Sequence, residues 1–152
     1  MHNLGKVVVK RVVAGLGVAL LAGCATAPAG PSPQDSARNT ALCKDYASTS
    51  GSARTPLDAM RTQAVLSPFV ALIEVGTRQI AAQGTAAPDP EVAGSMKRLV
   101  DALDDLDRQG QANLPPGANL TETPVRLDPS RLATALDDTD RACARYPARP
   151  PR

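Results

Sequence analysis

Ser32-Pro33, Thr55-Pro56, Ser67-Pro68, Asp89-Pro90 and Asp128-Pro129 each place a residue with a capping oxygen directly before a proline. A serine, threonine or aspartate oxygen accepts from the free N–H groups of a helix's first turn, and proline's fixed φ suits the position that follows. Each pair therefore predicts a helix start. Asp35 and Asp58 stand three residues after Ser32 and Thr55, where the acidic member of a capping box belongs.

The segments between these marks have helical period. The first helix is expected from Pro33 to about Ser48, with Leu42, Cys43 and Tyr46 on one face, and Ser50-Gly51-Ser52 reads as the loop that ends it. The second runs from Pro56 to about Gln83. Pro68 either kinks it or divides it in two, because proline removes a backbone hydrogen bond and clashes with the preceding turn. Phe69 to Val75 is apolar nearly all round apart from Glu74, which predicts the most buried helix; a strand is the alternative there. In the third helix, Pro90 to about Gln109, Val92, Met96, Leu99, Leu103 and Leu106 repeat at steps of 4, 3, 4 and 3. Gly110 to Leu127 has no period and is either packed across the bundle or functional. The last helix, Pro129 to Tyr146, carries Leu132, Leu136, Thr139, Cys143 and Tyr146 on one stripe.

Tyr46, Phe69 and Tyr146 are the only aromatic residues of the 152, so a core must be built from Leu, Val, Ile and Ala. Small side chains favour close-packed helices. The expectation is all-α, a compact bundle of about four helices over residues 33–147, followed by a disordered tail, 148–152.

The front of the chain is different. Lys6, Lys10 and Arg11 precede an uncharged run, Val12 to Gly23, of 12 residues. Spanning a bilayer takes about 20, whereas a basic start, a short apolar run and small residues before a cut describe a signal peptide. Leu21-Ala22-Gly23-Cys24 resembles the lipobox of bacterial lipoproteins. That resemblance implies cleavage after residue 23, lipidation of Cys24 (diacylglyceryl on sulfur, palmitate among the acyl chains), and a place on the extracytoplasmic side of the cell membrane. In a Gram-negative cell the lack of Asp after Cys24 implies the outer membrane. Residues 24–32, small and proline-rich, then form a flexible tether.

Removal of residues 1–23 changes the chemistry left behind. The formal charge falls from +2 to about −1, with 14 bases against 15 acids, so there is no electrostatic case for nucleic acid. His2, the sole histidine, goes too, and with it Ser-His and Cys-His catalysis and the usual zinc ligands. Cys43 and Cys143 become the only thiols, on the apolar stripes of the first and last helices in an oxidising place, and a disulfide between them is expected, against two separate buried thiols. Asp101, Asp104 and Asp105 fall opposite the leucines of their helix, with Lys97-Asp101 and Asp104-Arg108 as expected i,i+4 pairs, so a solvated face outweighs a metal site.

No catalytic residue, metal or cofactor is expected, and Glu74 is the one acid inside the most apolar run. The functional expectation is a membrane-anchored cell-envelope lipoprotein, a non-enzymatic binding or adaptor module that holds an envelope protein partner through a helix face or the 110–127 loop. The alternative is a carrier of a small apolar ligand or lipid, with a pocket between helices near Phe69 and Gly76.

Overall fold

Helix follows helix in the order α1 Pro33–Arg54, α2 Leu57–Thr62, α3 Ser67–Gly84, α4 Pro90–Ala112 and α5 Ser130–Cys143. A computed structural model describes residues 31–147. The expected signal peptide 1–23, the lipidation site Cys24, the tether up to residue 30 and the tail 148–152 lie outside the described residues.

Two of the five proline pairs cap with their side chains. Ser32 Oγ accepts from Asp35 N at 3.1 Å and donates to Asp35 Oδ2 at 2.7 Å, and Asp89 Oδ1 accepts from Glu91 N and Val92 N at 2.8 and 3.1 Å. The other three mark breaks without capping the helix that follows. Thr55 Oγ1 donates back to Gly51 O at 3.0 Å, and Asp128 Oδ1 holds the turn before α5 by accepting from Ser130 N at 3.0 Å. Ser67 is already helical, after Leu66.

The expected loop at Ser50-Gly51-Ser52 is helix instead, since α1 continues to Arg54. Ser50 and Ala53 are buried in that last stretch. A helical glycine costs roughly 1 kcal/mol against alanine, and burial of Ser50 and Ala53 on the opposite side of the helix offsets it. Pro68 divides the second expected helix: α2 ends at Thr62, α3 starts at Ser67, and Val65 between them pairs antiparallel with Val125. Two backbone hydrogen bonds of 2.9 Å make that bridge. Val125 and Leu127 are buried, so the 110–127 segment, after a last helical stretch to Ala112, packs across the end of the bundle.

The four long helices form a ring. α4 packs against α3 and α5, and α1 packs against the same two, which leaves α3 and α5 at opposite corners. Along α4 and α5 the leucine stripes are buried as expected, with Leu99, Leu103, Leu132 and Leu136 fully enclosed. Each such side chain contributes about 1.5–3 kcal/mol. Tyr46 joins them from α1, its hydroxyl donating to Leu136 O at 3.0 Å, and burial pushes that hydroxyl's pKa up. Cys43 of α1 and Cys143 of α5 are disulfide-bonded, with Cα atoms 5.4 Å apart across a separation of 100 residues.

Candidate interaction face

The helix expected to be most buried is turned the other way. On α3, Ser67, Val70, Glu74, Thr77, Ala81 and Gly84 face the interior, at steps of 3, 4, 3, 4 and 3. Phe69, Leu72 and Val75 are 62 %, 69 % and 54 % exposed, with Leu66 at the start of the row 36 % exposed. The inward stripe is small or polar, and the outward one is large and apolar.

Close packing explains the inversion. A Cβ placed on Gly84 would come within 2.5 Å of Met96 Cγ, and one on Gly110 of α4 within 2.1 Å of Ser67 Oγ. Gly76 lies against Thr49 of α1, beside a bond from Thr77 Oγ1 to Thr49 O at 2.9 Å. Helices that approach this closely leave no room between them for Phe or Leu. At the place expected for a ligand pocket, Gly76 is in ordinary van der Waals contact with Thr49 and the Phe69 ring is turned outward.

Glu74 is fully enclosed, and neither carboxylate oxygen has a hydrogen-bond partner within the protein. Burial pushes its pKa up to about 7; Arg78 pulls it down and Asp107 raises it further. Arg78 does not bond to Glu74 because α4 holds it. Its guanidinium reaches both Asp104 and Asp107, the latter at 2.7 Å. Glu74 and Arg78 are the only charged residues on α3, one enclosed and the other paired, so the outer face of this helix presents no free charge.

The charges of α4 and α5 are matched. Lys97 pairs with Asp101 as expected, but Asp104 goes to Arg78 rather than Arg108, and Arg108 pairs with Asp105 together with Arg131 of α5. Arg54 reaches Asp137 and Asp140. An open groove between α4 and α5 is lined by the charged residues Arg98, Asp101, Arg131 and Asp138. Among the described residues no group of three or more His, Cys, Asp or Glu is placed to hold a metal ion.

Sequence reasoning passed over two features. Asp89, read only as a cap, also accepts from Tyr146 Oη at 2.6 Å and Arg145 at 3.2 Å, while its backbone N–H donates to Asn39 of α1 at 3.4 Å; it ties three helices at one end. Burial opposes its ionisation, but the bonds from Tyr146, Val92 and Glu91 outweigh that and lower its pKa. The second is the small-residue stripe of α3, whose 3,4 spacing was present in the sequence but masked by larger neighbours. Compared with known proteins, the chain matches no family model, and no characterised protein or solved structure is significantly similar to it.

Proposed function

We propose that this protein is a lipid-anchored lipoprotein of the cell envelope whose helical domain is a non-enzymatic binding module, with the outer face of α3 as its contact surface. The observation that carries the reading is the uncharged row Leu66, Phe69, Leu72 and Val75, which leaves roughly 400 Å² of apolar side chain in solvent, comparable to the largest patch on a typical monomer, often a functional one. Large apolar groups outside and a carboxyl inside is a costly arrangement for folding alone. The Leu21-Ala22-Gly23-Cys24 motif supports the anchor, and no described helix is long and apolar enough to cross a membrane instead. Two or more acyl chains at Cys24 suffice for stable attachment. Glu74 is enclosed in this conformation, so it offers no carboxylate to a solute.

The test is replacement of the modified residue. In a bacterial host, Cys24→Ser is expected to abolish incorporation of radiolabelled palmitate and to release the protein from the membrane fraction. Unchanged labelling would sink the anchored reading.

A further inference from the structure

We infer that the outer face of α3 lies on the lipid bilayer, so that the domain is held flat against the membrane surface rather than standing away from it. This rests on acylation of Cys24. Three observations select lipid as the occupant.

First, reach. Seven residues lie between Cys24 and Ser32, and the eight Cα steps across them span at most roughly 27 Å. α1 lies alongside α3, Leu42 sharing a hollow with Gln83 and Ala86 and Thr49 O accepting from Thr77. With the outer face of α3 on the surface, α1 lies only one interaxial distance, roughly 8–10 Å, farther out, so Ser32 is within one tether length of the bilayer.

Second, area. A stable dimer buries about 800 Å² on each partner, about twice what this row offers. A tethered face needs less, because the link turns docking into an intramolecular event at an effective concentration near millimolar.

Third, charge. With Glu74 enclosed and Arg78 held by Asp104 and Asp107, the face carries no free charge to choose a charged partner and none whose desolvation opposes insertion. Phe69, Leu72 and Val75 suit the boundary between headgroups and acyl chains, where interfacial helices bury their apolar side. Lipid contact of this kind is insensitive to salt.

The chain has no tryptophan, so Phe69→Trp supplies a single reporter at an exposed position. Thr134→Trp, exposed on α5 at the opposite corner, supplies the control. Each full-length variant is expressed, processed, purified with its lipid and reconstituted into phosphatidylcholine vesicles with or without brominated acyl chains. Intact mass reports acylation. Residue 69 is expected to be blue-shifted and quenched roughly twofold or more by bromine, as for a ring inserted about 5–10 Å below the surface, with no change at high salt. Residue 134 is expected to stay unquenched. Adding Leu72→Glu to Phe69→Trp is expected to remove the quenching while the protein remains on the vesicles.

Acylated protein bound to vesicles with residue 69 unquenched would overturn the inference and leave the anchored reading standing. A blue shift that depends on protein concentration but not on bromine would overturn it in favour of a second copy or another protein on this face. Absence of the acyl group in the intact mass would overturn it together with the anchor, and is read independently of the fluorescence.

Discussion

α5 and α3 occupy opposite corners of one bundle and treat the same physics in opposite ways. α5 buries Leu132, Ala135, Leu136 and Thr139 and turns charge outward, and its last residue is tied to α1 by a disulfide. α3 buries Ser67, Glu74 and Thr77, turns Phe69, Leu72 and Val75 outward, and has no covalent tie among the described residues. The first arrangement stabilises the domain. The second does little for it, because large side chains left in water contribute little and an unpartnered buried carboxyl costs free energy. The difference separates what the bundle needs from what α3 presents to its surroundings.

The tie at the α5 corner offers the largest effect. In the chain-entropy model a loop of about 100 residues closed by a disulfide is worth about 4.7 kcal/mol, and Cys43 to Cys143 spans that separation. Cys43→Ala with Cys143→Ala is expected to lower the unfolding free energy by about that much in urea titrations. Free thiols counted by alkylation and mass, before and after reduction, check the bond itself. Two alkylated cysteines without reductant would remove the asymmetry between the corners.

A core leucine comes next. Leu136 is fully buried, and its backbone carbonyl accepts from Tyr46. Leu136→Ala is expected to cost about 2–5 kcal/mol, from lost transfer free energy and the cavity left behind. Circular dichroism melts would read this as a clear drop in Tm.

Glu74 predicts a gain. Its folded pKa is raised from 4.5 to about 7, so between those values the folded state holds a proton that the unfolded state has lost. Stability is then fully present below pH 4.5 and falls as pH rises through 7, by up to about 3 kcal/mol at 1.36 kcal/mol per unit. Asp89, Asp105 and Asp128 have lowered pKa values and act with the opposite sign below their ordinary value of 3.8, outside this window. With His2 the sole histidine, no imidazole of the domain titrates there. The domain is thus expected to be more stable at pH 5 than at pH 8, and Glu74→Leu to abolish that slope and stabilise by up to about 3 kcal/mol at pH 8. A flat profile between pH 4.5 and 7 in the unaltered protein would show that water or a partner reaches the carboxyl.

The same contrast explains which parts of the structure were legible in the sequence. In α4 and α5 the leucines themselves make the contacts, so their 3,4 spacing gave helix, face and burial at once. The cysteines followed, because each lay on such a stripe. In α3 the contacts are made by Ser67, Gly76 and Gly84, and a reading weighted by apolarity ranked Phe69 and Leu72 above them. Hydropathy says how much apolar surface a helix has; which side the neighbours take depends on how closely they approach, and Gly110 and Met96 decide that from another helix. The expected loop at Gly51 and the expected pair of Asp104 with Arg108 failed alike, since local rules give way when a partner arrives from across the bundle.

The smallest expected effect is the most informative about α3. Leu72 is 69 % exposed, and substitutions at such sites away from caps and networks usually change stability by less than about 0.5 kcal/mol. Leu72→Ser, measured in the Cys24→Ser background so that no membrane or detergent covers the face, is therefore expected to leave the urea midpoint almost where it was. A loss above about 1 kcal/mol would mean that the row is already covered in solution, by a second copy or another segment of the chain, and dependence of the loss on protein concentration would tell those apart. An unchanged midpoint has its own force: a helix whose largest side chains can be replaced at no cost to folding carries them for contact with something outside the fold.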